Sequence, residues 1–404
     1  MTSHMLSDRV QRIKPSPSTI AGDRAKALKR EGKSIANLVV GEPDFDTPAH
    51  IREAAHRAID NGETRYTAGP GTPELRSAIS DKLLRENHLE YPIDQITVTN
   101  GAKSAVFLAF GAILNPEDEV IIPAPHWVSY PDMAQTFEGV PVVVPCTEDS
   151  GFKITASQLE KAITSRTKCL VINSPCNPCG ATYTTDDYRE LAKVLLGHPR
   201  VFILMDDIYE HIRYDDGDIA HLAAVEPALK ERVILINGVS KTYAMTGWRI
   251  GYLAGSTALV KAVNTLKSQS AGTSCSISQA AALAAYTGPQ GFIAETRAIY
   301  KARRDEVVTL INAIPGLNCK PPAGAFYVYI RCSGLIGKRR PDNGRLIEDD
   351  NDVVMYFLEQ AGVALMAGVA YGLSPYFRMS IATSIEVLRD GCARIAKAVE
   401  QLAG

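Results

Sequence analysis

Between residues 50 and 255 the chain alternates helical patterns with seven short, mainly apolar runs, and few architectures satisfy that alternation. The runs are Ile96–Val98, Val120–Ile122, Val142–Val144, Cys169–Ile172, Val201–Met205, Val233–Ile236 and Ile250–Leu253. A strand with one wet face alternates apolar and polar residues, whereas a strand apolar throughout needs cover on both faces. Ile51, Ala54, Ala55, Ala58 and Ile59 share one helical face that stops at Gly62, and Leu75, Ile79 and Leu83 repeat the spacing. Strands and helices taking turns in this way predict a mainly parallel seven-stranded sheet between helices, an α/β fold.

The tail reads differently. Strand patterns at Ala325–Ile330, Val363–Met366 and Phe377–Ile381, with helical patterns around Val353–Gln360 and Ile385–Leu402, predict a smaller α+β unit. The Gly-, Lys-, Arg- and Asp-rich stretch Gly337–Asp352 reads as an exposed loop. At 404 residues the chain exceeds what one core comfortably serves, so two domains are expected. We expect an N-terminal arm that joins the small domain at 1–48, a large domain at 49–318 and the small C-terminal domain at 319–404.

A net charge of -2 gives no electrostatic case for nucleic acid or an anionic membrane as partner. No stretch approaches the ~20 apolar residues of a membrane span, and Met1–Arg9 has no apolar signal-peptide centre, so a cytoplasmic protein is expected. Cys176 and Cys179 form a Cys-x-x-Cys pair, but no second pair or His-x-x-x-His supplies the rest of a metal site, and Asn177-Pro178 between them does not open a helix. No metal is expected, and both cysteines read as bystanders around Asn177.

In open parallel sheets, ligands collect beyond the carboxyl ends of the strands. Four polar clusters follow strand patterns: Asn100-Gly-Ala-Lys103, Asn173–Gly180, Asp206-Asp207 and Ser240-Lys241. Lys241 follows an apolar run and a small-residue turn, with Arg249 eight residues on. Among apolar neighbours a lysine can lose its proton and attack an aldehyde; taken alone it reads first as a surface lysine, since lysines are common and mostly exposed. Gly101 and Ala102 open an apolar helix whose N–H groups suit a phosphate, or else form a turn chosen for packing. No Walker or Gly-x-Gly-x-x-Gly pattern points to a nucleotide. Asp206 ends an apolar strand, either as the buried partner of a cation such as a protonated pyridine or as a helix N-cap. Trp127 is placed to stack on a planar ring or to fill core, and Tyr209 would share the helical face of Asp206.

Together these residues resemble the aspartate aminotransferase family, the fold type I enzymes that use pyridoxal 5'-phosphate. The motifs are Gly41-Glu-Pro-Asp-Phe-Asp46, Tyr66-Thr with Pro73-Glu-Leu-Arg76, Asn173-Ser-Pro-Cys-Asn-Pro178, Asp206-Asp-Ile-Tyr209, Ser240-Lys241 with Met245-Thr-Gly-Trp-Arg249, and Arg378-Met-Ser-Ile-Ala-Thr383. The likeness is greatest to the bacterial aspartate aminotransferases of subgroup I gamma, some of which also accept prephenate.

The resemblance implies that Lys241 binds the cofactor through its amine and then shuttles the proton at the substrate α-carbon. It implies that Asp206 pairs with the pyridine N–H, that Tyr209 and Asn177 hold the ring oxygen, and that Trp127 covers the ring. The phosphate would rest on the Gly101 and Ala102 backbone, on Arg249 and on Tyr66 from a neighbouring subunit, with Ser240 and Lys103 also at the cofactor. Arg378, with Asn177 and the Gly41 backbone, would grip the substrate α-carboxylate. A homodimer follows, acting on small amino acids and 2-oxo acids.

Three departures from the family pattern involve four positions. Gly238 stands where many relatives have a phosphate-binding serine, Cys176 and Cys179 replace polar residues, and Ile20 stands where a threonine often reads the substrate's distal carboxylate. Thr19 compensates only by a one-residue shift, so distal recognition falls to Lys103, which otherwise lies near the phosphate or faces solvent. The expected reaction is L-aspartate plus 2-oxoglutarate giving oxaloacetate and L-glutamate by a ping-pong cycle. An aromatic, prephenate or broad-specificity aminotransferase is the alternative, with a lyase of the same fold behind it.

Overall fold

The apolar runs become strands, covered on both sides except at Val142–Val144, which lies on an edge strand with Val143 exposed. The structure, a computed structural model, describes residues 6–15, 23, 27–28, 30–215, 217 and 219–403. After the short β1 (Ala36–Asn37) come β2 (Ile96–Thr99), β3 (Glu119–Ala124), β4 (Val140–Pro145), β5 (Thr167–Asn173), β6 (Phe202–Asp206), β7 (Val233–Gly238) and β8 (Gly251–Ala254). The seven from β2 to β8 form one sheet in the order β2-β8-β7-β6-β5-β3-β4. Only β8 runs against its neighbours, antiparallel to both β7 and β2.

Alternate residues of one strand feed two cores. Leu170 and Ile172, Ile203 and Met205, and Val233 and Leu235 join the cluster under the helices Ala49–Asp60, Pro73–Asn87, Thr185–Leu196 and Ser276–Thr287. Cys169 and Val171, Leu204, and Ile234 and Ile236 join the cluster under Ala102–Ile113, Ser129–Thr136 and Thr257–Ser268. Each such side chain contributes about 1.5–3 kcal/mol on leaving water, which is why a fully apolar strand settles only between two layers. Local chemistry sets the ends: Thr184 caps the Thr185–Leu196 helix through a reciprocal pair with Asp187.

The C-terminal part builds β9 (Tyr327–Arg331), β10 (Val363–Ala364), β11 (Met366–Ala367) and β12 (Tyr376–Ser380). β11, β12 and β9 make an antiparallel sheet, with Arg378 opposite Tyr329 and Met366. β1 pairs with β10 in parallel, which ties the N-terminal segment to this unit. The long helix Gly291–Asn312 packs Tyr300, Val307 and Ile311 into the same core as β9 and β12.

Several expected elements shift. The single run Val363–Met366 splits into β10 and β11, because the chain passes from one sheet to another at Leu365. Ala325 has φ 56° and donates its N–H to Ile212, so the strand expected from Ala325 begins at Tyr327. The helix expected over Val353–Gln360 is α-helical at Asp350–Tyr356 and widens to a π turn at Phe357–Ala361. The stretch Gly337–Asp352 is not wholly an exposed loop: Ile347 and Asp350 are fully buried, and the Arg340 guanidinium bridges Asp342 and Glu359. Among the described residues no helix is long and apolar enough to cross a membrane.

Candidate active site

The carboxyl ends of β5, β6 and β7 lie side by side, since Asn173 pairs with Asp206 and Asp206 with Ile236. Past β7 the chain turns through Val239–Met245, closed by Tyr243 N–H to Val239 O (3.2 Å) and Met245 N–H to Ser240 O (3.1 Å). That turn holds Lys241 over the strand ends, where Nζ donates to the Gly41 carbonyl at 2.6 Å. Burial lowers the amine to about 8; Arg249 and Arg378 push the same way, while Glu42 and Asp206 oppose them.

Asp206 is buried at the last position of β6 and accepts a hydrogen bond from the Tyr130 hydroxyl at 2.6 Å. Burial raises its carboxyl to about 6; Asp207 adds to the rise, and Tyr130 and Lys241 restrain it. No helix follows, because Ile208–His211 is a turn, so Tyr209 does not share a helical face with Asp206 as expected. The turn nevertheless brings the Tyr209 hydroxyl within 2.9 Å of Tyr327 at the cavity. The N-cap role is likewise absent, leaving only a long 3.4 Å contact from Ile208 N–H to Asp206 Oδ1.

Gly101 has φ 87°, and a Cβ there would stand 2.5 Å from Arg249 Nη2. Behind it the helix Ala102–Ile113 starts without a side-chain cap, so its first N–H groups are free to meet a ligand. Arg249 bonds Thr246 O at 2.8 Å and Asn100 O at 3.3 Å, which fixes its guanidinium at that helix start. Gly238 opposes Gly251 across β7 and β8, where a Cβ would lie 2.8 Å from Gly251 Cα and from Ile250 O. A serine therefore does not fit at 238 unless β8 moves, which accounts for that departure.

Arg378 is 3 % exposed, donates to Asn177 Oδ1 at 3.0 Å and to Val39 O at 2.7 Å, and stacks 4.3 Å above the Tyr327 ring centre. Its Nε is buried with no partner among the described residues. Asn177 is itself oriented by its backbone N–H to Asn173 Oδ1 at 2.8 Å. Trp127 stands edge-on to Tyr130, with Lys103 Nζ 5.4 Å from its ring centre. Burial and then Arg249 depress the Lys103 amine. Cys176 and Cys179 are buried with Tyr329, Tyr371 and Tyr376, and the Cys176 thiol donates to Pro125 O.

Gly41, Ala102, Lys103, Trp127, Asn177, Asp206, Tyr209, Ser240, Lys241, Arg249 and Arg378 all line one cavity of about 270 Å³. Gly101 lies immediately behind Arg249, whereas Tyr66 is 97 % exposed on another surface, beside Arg65 and Ser274. Ile20 and Thr19 lie outside the described residues. The sequence reading missed Asn173, Thr246, Tyr327 and Tyr130. Asn173 stood at the head of a motif already quoted; Tyr327 was hidden inside an apolar run, and Tyr130, three residues beyond Trp127, reads as core.

The donor set suits pyridoxal 5'-phosphate on observations of this chain. A depressed amine, a buried carboxylate in want of a cation, and an arginine with a free buried Nε all face one cavity. A bare helix start beside a fixed guanidinium completes the set.

Comparison with known proteins identifies the family. The family profile described as aminotransferase class I and II matches residues 33–395. The chain is 51% identical over 396 residues to the aspartate aminotransferase of Rhizobium meliloti (strain 1021), covering 98% of this chain and 96% of that one. It is 51% identical over 390 residues to the aspartate/prephenate aminotransferase of Cereibacter sphaeroides, covering 96% and 97%. Among solved structures, the Rhizobium meliloti aspartate aminotransferase superposes with a TM-score of 0.96 at 50% identity, covering 98% of this chain and 99% of that one. The Thermus thermophilus aspartate aminotransferase with maleate gives 0.91 at 39% identity, covering 97% and 99%.

Proposed function

The chain belongs to the class I and II aminotransferase family, and from that premise we propose that its cavity binds pyridoxal 5'-phosphate and transfers an amino group from L-aspartate to 2-oxoglutarate. The observation that carries this reading is the convergence of Lys241, Asp206, Arg249 and Arg378 on one cavity from two different sheets and the connection between β7 and β8. When bound, the cofactor supplies an electron sink for the pair released at the substrate α-carbon.

The chain's own residues do the rest. Lys241 Nζ, with a lowered pKa, holds the cofactor through its amine and afterwards takes and returns the α-proton. Asp206 offers a charge to the ring nitrogen, and Tyr209 and Asn177 offer polar groups to the ring oxygen. Arg249 and the N–H groups at Ala102 and Lys103 receive the phosphate, with Ser240 alongside. The Arg378 fork, already held by Asn177 and Val39, orients the substrate carboxylate and so directs the α-hydrogen. Trp127 covers the site and excludes water from it.

Lys103 is the cation we assign to the distal carboxylate of aspartate. The solved Thermus thermophilus relative carries maleate, itself a dicarboxylate, which supports that assignment. The exposure of Tyr66 supports a two-fold dimer in which it reaches the partner's phosphate site. A cytoplasmic location accords with the absence of an apolar spanning helix among the described residues.

The test is a donor profile on the yellow holoenzyme. Aspartate should bleach the absorbance and yield stoichiometric glutamate from 2-oxoglutarate, without ammonia or carbon dioxide. A protein that does not bind pyridoxal phosphate, or prefers tyrosine or alanine to aspartate, contradicts the reading. Relatives named aspartate/prephenate aminotransferase favour prephenate as a second amino acceptor, measured in the same assay.

A further inference from the structure

Tyr130 lies in the helix Ser129–Thr136, is 1 % exposed, and sends its hydroxyl to Asp206 Oδ2 at 2.6 Å. The ring is buried in the same core cluster as Val106, Phe110, Val120 and Ile122 and set edge-on to Trp127 with centroids 5.2 Å apart. The hydroxyl therefore points one way. The other carboxylate oxygen, Oδ1, has only the long 3.4 Å contact to Ile208 N–H, so it is the oxygen left open to a further donor.

We propose that Tyr130 is a positioning residue for the amino transfer, fixing the rotation of the Asp206 carboxylate and keeping it ionised as the partner of the cofactor's ring nitrogen. The inference rests on the assignment of Asp206 to that nitrogen made above.

A hydrogen bond donated to a carboxylate favours the charged form. Burial works the other way on Asp206, so without the phenol the charge is lost more easily. Burial and the adjacent carboxylate also push the Tyr130 phenol far above its ordinary range, so it stays a donor throughout the working pH range. Apart from Tyr130, the groups facing Asp206 are Lys241 from the turn after β7, and Asp207 and Tyr209 from its own segment. Of these, only Lys241 offsets the neighbouring negative charge. Tyr130 thus supplies the neutral donor that lets Oδ1 face the cofactor as an anion.

The test compares Tyr130→Phe, which removes one oxygen and keeps the ring, with the unaltered protein. Apoprotein is titrated with pyridoxal 5'-phosphate from pH 5 to 8, and binding is followed by tryptophan fluorescence. Affinity should weaken about tenfold at neutral pH, and its loss on the acid side should begin about one pH unit higher. In the holoenzyme kcat should fall about tenfold while KM for the amino donor stays within about twofold. Wild-type affinity, pH profile and kcat in a folded Tyr130→Phe protein would overturn the proposal. If that variant does not fold, Tyr130→His, which restores a donor on a smaller ring, takes its place: wild-type affinity with an acid limb at the wild-type pH supports a donor role, and a profile shifted upward despite the donor overturns it. Asp206→Ala separates the two layers of argument. If it leaves cofactor affinity and turnover intact, the assignment of Asp206 itself is wrong; if it abolishes both while Tyr130→Phe does nothing, only the role of Tyr130 fails.

Discussion

Lys241 combines a short bond to Gly41 with an amine lowered to about 8 by burial, so a substantial fraction is neutral and nucleophilic at mildly alkaline pH. Since only the free base attacks an aldehyde, the rate at which apoprotein captures pyridoxal phosphate should rise about tenfold per unit up to pH about 8 and level off above it, as stopped-flow absorbance can follow. Lys241→Ala should lower kcat by more than about 10³-fold. Lys103→Ala should raise KM for aspartate at least tenfold, about 1.4 kcal/mol or more, and leave tyrosine nearly unaffected; equal losses for both donors would show that Lys103 serves the phosphate instead. The sequence made the charged members of this site readable, because a lysine after a strand or an arginine beside it has few cheap explanations. Tyr130 and Tyr327 were not readable, because their hydroxyls acquire meaning only from partners 76 and 118 residues away.

Elements, more than single side chains, decide how close the parts of the site come. Gly251 on β8 lies against the backbone N–H of Ala102, and Gly238 lies opposite it on β7, so the start of the Ala102–Ile113 helix rests directly on β8 at a glycine that is itself backed by another. Gly251→Ala has no space for its methyl group and should destabilise the protein by about 1–3 kcal/mol, with a larger proportional loss of pyridoxal phosphate affinity than of thermal stability. Thr184→Ala, remote from the cavity, should cost about 1 kcal/mol with kcat unchanged, measured by urea unfolding and steady-state assay. Six of the seven apolar runs were legible because they are buried on both faces; the seventh, in the edge strand β4, leaves Val143 exposed. The reversed direction of β8 was not legible, since its run is as apolar as its parallel neighbours. The split of Val363–Met366 also escaped, because pairing with β1, more than 300 residues earlier, decides it.

At the scale of the whole molecule, a buried polar group underlies the lysine turn. Glu210 accepts from Lys82, Asn87 and Asn237, and Asn237 in turn receives the Gly238 N–H at 2.7 Å. Glu210→Ala would strand the Lys82 charge inside the protein and should cost about 3–5 kcal/mol. At the rim of the same group Glu86 binds His211 at 2.8 Å and lies near Lys82. Although burial alone would raise its pKa, the bond to His211 and the charge of Lys82 bring it from 4.5 down to about 2. A depressed carboxyl binds fewer protons folded than unfolded, so its stabilising share is full above pH about 4.5 and lost as pH falls toward about 2. Urea midpoints across that window should drop less steeply in Glu86→Gln than in the parent. None of this group was visible in the sequence, because its members come from helix, turn and strand in separate parts of the chain.

The reversal of β8 carries a mechanical consequence. Because the chain turns back on itself after β7, Lys241 and Arg249 sit on one short hairpin connection, while Arg378 hangs from the other sheet. On the proposed function, the lysine and arginine assigned to the resident molecule thus share a single piece of scaffold, and the arginine assigned to the visiting one belongs to a second, linked to the first through Asn177. Flexing between the pieces would loosen the visitor's fit without slackening the resident's.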